Sequence, residues 1–252
     1  MEKFSSVTRL KLIVEKFNRI PNQTSAGKAF SEIFDFDNSD ALVAYEYSID
    51  YFNLVERVID ILTEASGSFP FLKQTVEEVD RLKKNALLFN NGQQWQHCRK
   101  HSGSSARLAL ETAEGFYSMY VEHVELRIED EYISGFKSEV DKLYESVQES
   151  DLPRELKLKI YDCLIDIKKS LVKYSISGMD GVEKSMATLF GCVGLNREFV
   201  NEDAQPEVFN DVKSFFNKFK SLAEMANTLS QLPSNVQSAL TLLTEASDKF
   251  KQ

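Results

Sequence analysis

His97 and His101 stand four residues apart, a spacing that on a helix puts two imidazoles on one face and offers them to a single metal ion. Two ligands are too few, and Glu111 or His123 would have to complete the set. Neither HExxH nor a paired ExxH pattern occurs, so no metal and no other cofactor is expected. Ser104 and Ser105 lie close to His101, but the GxSxG elbow of serine hydrolases is missing. Small helical ribonucleases place an arginine four to six residues before a histidine. Here Arg99 comes two residues before His101 and Arg107 sixteen before His123, so that pattern is absent as well.

Phosphate chemistry of the familiar kinds finds no support either. The P-loop and the Rossmann glycine pattern are lacking, and Gly191-Cys192-Val193-Gly194 follows a predicted helix, not a strand. The stretch from Arg81 to Arg107 nonetheless holds six basic residues and no acidic one, whereas Leu108 to Ser150 holds eleven acidic residues against three basic. The bland reading is two solvated faces, or faces that pair across helices. The functional reading is a ligand face for a phosphate or short oligonucleotide. Arg81, Lys83, Lys84, Arg99, Lys100 and Arg107 would supply charge, Trp95 a stacking surface, and Ser104 with its neighbours hydrogen-bond donors. Glu122, Glu125 and Glu129 are expected along one face of an acidic helix.

The elements that must carry these residues are helical. The chain of 252 residues is 42% hydrophobic and 27% charged, with 10 glycines and 5 prolines, so disordered and turn-dense β classes are excluded. Apolar residues recur at three and four throughout. Helices are expected over Leu10 to Phe17 up to Pro21, over 25–36, over 40–65, and over 71–88. Two helices, or one bent at Gly135, are expected over 108–147. Asp151 is expected to cap the next helix, whose Ile160, Leu164, Ile167, Leu171 and Tyr174 form a packing seam. Asp180 caps another, Pro206 opens a further one, and Pro233 starts the last, with Val236, Leu240, Leu243 and Phe250 on one face. The expectation is an all-α bundle of about nine helices without a sheet, comprising a body over 1–200 and a C-terminal hairpin over 201–252. A boundary near 149–152 is equally defensible.

Phe209, Val212, Phe215, Phe216 and Phe219 share one broad apolar face. Such rings are ordinarily core, and the functional alternative is a subunit interface. Lys213, Lys218 and Lys220 flank it, so a helix lying on a membrane surface is a further option. The net charge of −9 disfavours non-specific binding to nucleic acid. Cys98, Cys163 and Cys192 lack a CxxC spacing and are expected to be buried free thiols. No secretory leader and no membrane-spanning run is recognised, which places the protein in the cytoplasm, at most peripheral to the inner membrane.

Ile20-Pro21, Ala29-Phe30 and Ile33-Phe34-Asp35-Phe36, followed by Leu152-Pro153, Ile160, Ile167, Tyr174, Ile176, Gly178 and Gly181-Val182, resemble a group of bacterial all-helical proteins found near antiphage defence genes. The resemblance extends loosely over residues 7 to 195 and names no catalytic residue. Some members of that group look like membrane-acting effectors with a C-terminal apolar span, which this chain replaces with an amphipathic segment. It implies a sensor or effector in antiphage defence. Together with the residues, it sets the expectation of a non-enzymatic, self-associating helical protein regulated by a partner protein or a nucleotide or oligonucleotide ligand. The alternative is a nuclease or other nucleotide-acting enzyme or toxin centred on His97 and His101.

Overall fold

Side-chain caps start the first helices where the sequence changes character. The Ser5 hydroxyl accepts the Thr8 N–H at 3.2 Å and opens α1 (Ser6–Arg19), which ends before Pro21. Ser25 caps α2 (Ala26–Phe34), and Asp35, in the left-handed region at φ 57°, closes it. The Asp40 carboxylate accepts the N–H groups of Leu42 and Val43 at 2.9 and 3.2 Å, opening the long α3 (Ala41–Ser66). Then come α4 (Leu72–Asp80), α5 (Lys83–Leu88), α6 (Trp95–Arg99) and α7 (Ser104–Tyr120), followed by α8 (Asp130–Glu149), α9 (Arg154–Val172) and α10 (Tyr174–Ser177). The helices α11 (Met179–Leu195) and α12 (Pro206–Met225) complete the series, with a 3₁₀ turn at Leu229–Gln231. This computed structural model describes residues 3–37, 40–88, 94–120, 124–201, 203–232 and 237. The expected last helix after Pro233 lies outside them, Gln237 excepted.

The protein is all-α. Among the described residues nine helices have nine residues or more, three are shorter, and no strand occurs. No described helix is long and apolar enough to cross a membrane.

The chain divides into two compact units, one of residues 4–122 and one of residues 1–3 with 123–252. The expected division at 201 is not where the chain separates, because α12 packs on α8 inside one unit. The Phe136 and Phe215 rings stack there at 4.9 Å, and Phe190 stacks on Phe216 at 4.0 Å. In the other unit α1 lies against α2, α3 and α7, and α4 packs on both α3 and α7. Its core joins Leu10, Phe17, Tyr51, Leu62, Trp95 and Leu110.

Three local expectations change. The stripe over 71–88 is two helices, since the Leu82 carbonyl accepts both the Asn85 N–H at 3.0 Å and the Tyr51 hydroxyl at 3.2 Å and so turns the chain. The 108–147 stripe breaks between α7 and α8, not at Gly135, which sits inside α8 with open space around it. Neither Asp151 nor Asp180 is a cap. α9 starts behind Pro153, and α11 starts behind Gly178, whose φ of 62° suits glycine. The Met179 N–H is satisfied instead by the Glu125 carboxylate at 2.9 Å.

Candidate functional site

The basic stretch folds into α5, α6 and the turn that leads to α7, all in the 4–122 unit. The peptide N–H of Trp95 donates to Thr24 O at 2.8 Å, and that of Gln96 to Asn22 O at 3.1 Å. Beyond α6 the Asn18 amide donates to Ser102 O at 2.8 Å. The α1–α2 connection thus holds the start of α6 and α1 itself the turn beyond its end, while α5 packs on α6.

Trp95 is the anchor of this arrangement. Its side chain is fully buried, its indole N–H donates to Phe17 O at 2.9 Å, and the Phe17 ring meets it edge-on at 5.2 Å. It has no free face on which a base could stack, which corrects the expected role.

The six cations of the stretch part company. Arg81 donates to Glu78 at 2.7 Å, and Lys83 bridges Glu56 at 2.6 Å and Asp80 at 2.7 Å. Burial alone would lower the Lys83 pKa, but these two carboxylates raise it further. Arg107 donates to Glu111 at 2.9 Å, one turn along α7. The bland reading of a solvated, paired face holds for these three. Arg99 is half-buried and donates to the Asn22 carboxamide oxygen at 3.1 Å. Lys84 and Lys100 are exposed, and no ion pair ties either to a carboxylate among the described residues. Both lie near the half-buried His101. Burial, and then the charges of Lys84 and Lys100, hold this imidazole below its usual pKa of 6.5.

Ser104 is exposed at the start of α7. The site that survives is therefore smaller than expected, namely Lys84, Arg99, Lys100 and His101, with Ser104 three residues further on. Its inward support is the Asn22 side chain and the Trp95 anchor. The approach of Lys84 to His101 had no signal in the sequence, since the α5–α6 packing creates it.

Of the histidine-centred set, the described residues place only a part. His97 is exposed, Glu111 is engaged by Arg107, and His123 lies outside the described residues. No three His, Cys, Asp or Glu side chains gather as a metal set among the described residues.

The expected interface on α12 is interior to its unit. Val212, Phe215, Phe216 and Phe219 are buried, and Phe209 alone of the five is half-buried. The physical reason is the pair of facing helices: Phe136 of α8 takes Phe215, and Phe190 of α11 takes Phe216. The same burial takes away the apolar face with which α12 would have lain on a membrane. Beside it, Tyr132, Gly135, Phe136, Leu222 and Met225 line a groove of about 510 Å³, with the Glu139–Lys218 ion pair at its edge.

The acidic face is not helical as expected either. Glu125 lies in the segment between α7 and α8, and Glu129 precedes α8, while Glu122 is outside the described residues. Ile128 N–H donates to the Tyr174 hydroxyl at 3.1 Å, Leu126 N–H to Ala226 O at 2.9 Å, and the Asn227 amide to Val124 O at 3.3 Å. These bonds hold the segment extended. No family model, no curated protein and no solved structure matches the chain.

Proposed function

We propose that the protein is a non-enzymatic binding module for a small phosphate-bearing ligand, held by Lys84, Arg99, Lys100 and His101. The observation that carries this reading is the gathering of Lys84 and Lys100 around His101 with no carboxylate pairing either lysine among the described residues. Cations left without carboxylate partners give this face a local positive potential that an anion would neutralise. The overall charge of −9 suits a short ligand better than a long nucleic acid. The resemblance to helical proteins beside antiphage genes gives the setting in which a nucleotide signal would be read.

Self-association is the second part of the proposal, with its surface moved away from α12. Leu42, Tyr45 and Ile49 form a row of three-four spacing on α3 and are 75%, 57% and 41% exposed. Such a row is an apolar seam open to a neighbour.

Calorimetric titration of inorganic pyrophosphate, ATP and a 5′-phosphorylated dinucleotide tests the first part. Binding of at least one probe is expected, weakening with salt. It is lost in Lys84→Glu/Lys100→Glu and kept in Arg81→Glu/Arg107→Glu, whose cations are already paired. Absence of heat with all three probes, or equal loss in both variants, overturns the reading, and turnover of a probe shifts the assignment to the nucleotide-acting alternative. For assembly, sedimentation velocity should show Leu42→Lys/Tyr45→Lys moving toward the monomer relative to the unaltered chain. A wild-type monomer at all concentrations removes that part.

A further inference from the structure

The α9 and α11 helices run antiparallel about the short α10, with the turn at Gly178. They touch through small residues. The Ser170 and Ser185 hydroxyls lie 3.0 Å apart, and a Cβ placed on Gly181 would come within 3.6 Å of Ser170 Cβ. Seven residues back along α9 from Ser170 stands Cys163, and seven residues on along α11 from Ser185 stands Cys192. Seven residues are about two turns, and in an antiparallel pair both steps lead in the same direction along the helices. The register that joins the two serines therefore brings the two thiols face to face. Their mutual influence agrees, since the Cys192 charge raises the Cys163 pKa and the Cys163 thiol lowers that of Cys192.

We propose that Cys163 and Cys192 form a redox-active dithiol that closes to a disulfide under hydroperoxide and staples α9 to α11. Cys192 is half-buried and Cys163 is buried, so peroxide reaches Cys192 first. The Cys192 thiolate attacks one peroxide oxygen, the O–O bond breaks, and with one proton taken up the products are a sulfenic acid and water. The Cys163 sulfur then attacks Cys192 Sγ. The S–S bond forms, the S–O bond breaks, and the hydroxyl leaves with the Cys163 proton as a second water. Two thiols are oxidised by two electrons and the peroxide is reduced to two waters.

Burial raises the Cys192 pKa, while the nearby Lys159 charge and the Cys163 thiol work against the rise. The Cys163 thiol is pushed up to about 11, chiefly by burial. The thiolate fraction at neutral pH is small, so the pair responds to sustained peroxide and faster at alkaline pH.

The test uses the full chain, treated with hydrogen peroxide, then alkylated and digested. A cross-linked peptide pair containing Cys163 and Cys192 is expected, with Cys98, fully buried in the other unit, still alkylated as a free thiol after denaturation. Thermal unfolding should shift upward by several degrees and return with reductant. In Cys163→Ser, Cys192 should accumulate as a sulfenic acid trapped by dimedone. Over-oxidised Cys192 without the cross-link in the unaltered chain, or a disulfide joining Cys192 of two chains, overturns the proposal.

Discussion

The indole N–H of Trp95 donates to the carbonyl of Phe17 at 2.9 Å, across 78 residues of sequence. The bond fixes the depth of α6 against α1, and with it the position of Arg99, Lys100 and His101, which follow within two turns. A residue that looks like a ligand platform in the sequence is instead the device that places the ligand face.

Trp95→Phe should keep most of the ring packing and strand the Phe17 carbonyl. A buried acceptor left without its donor costs about 1–3 kcal/mol. Urea unfolding followed by circular dichroism should report a midpoint lowered accordingly. An unchanged midpoint would mean that the carbonyl finds water, and that the anchor is the ring alone.

Phe216→Ala separates core from interface. Phe216 is 1% exposed and stacks on Phe190, so truncation opens a cavity within its own unit and costs about 3–5 kcal/mol. The expected result is a large loss of stability with no change in the association state at temperatures where the chain is folded. A stable protein that dissociates on this substitution would restore α12 as the subunit contact.

Much of the fold is legible in the sequence because periodicity reports burial directly. Ile160, Leu164, Ile167, Leu171 and Tyr174 keep spacings of four and three, and all five are buried. What the sequence hides is whatever a distant residue decides. The break at Leu82 comes from the Tyr51 hydroxyl, 31 residues away. Trp95 stands among polar neighbours and resembles a surface residue, yet its side chain is long enough to pass under them into the core. The facing of Cys163 and Cys192, 29 positions apart in the numbering, follows only from the register of two helices. The candidate site was legible as a charge imbalance, and not as a selection of which cations remain unpaired.

Glu183 predicts an unusual response to acid. It is 8% exposed, its Oε1 has no hydrogen-bond partner among the described residues, and burial raises its pKa above 4.5. The Thr228 hydroxyl opposes that rise and the Glu125 charge adds to it. A carboxyl that holds its proton more tightly in the folded state stabilises the fold below its unfolded pKa, and this contribution is lost as pH rises through the folded value. Once ionised, the group is therefore a burden. Glu183→Gln should raise the urea midpoint at pH 7.5 and have much less effect at the acid end of the folding range. Equal effects at both pH values would show that charge at Glu183 is not the cause.

His101 gives the ligand site its own pH dependence. In the free protein burial, and then the charges of Lys84 and Lys100, hold its pKa below 6.5, so the imidazole is neutral at pH 7.5. A phosphate between the three groups favours the imidazolium and raises that pKa, and by linkage protonation must strengthen binding to the same degree. Pyrophosphate affinity should then increase as pH falls from 7.5 toward 5.5, even though the ligand itself loses negative charge over that interval. His101→Ala should remove the increase and leave only the ligand's own weakening. Following the imidazole Cε1 proton by NMR with and without pyrophosphate measures both His101 pKa values. A titration curve that does not move on adding pyrophosphate would separate His101 from the anion, and confine the site to Lys84, Arg99 and Lys100.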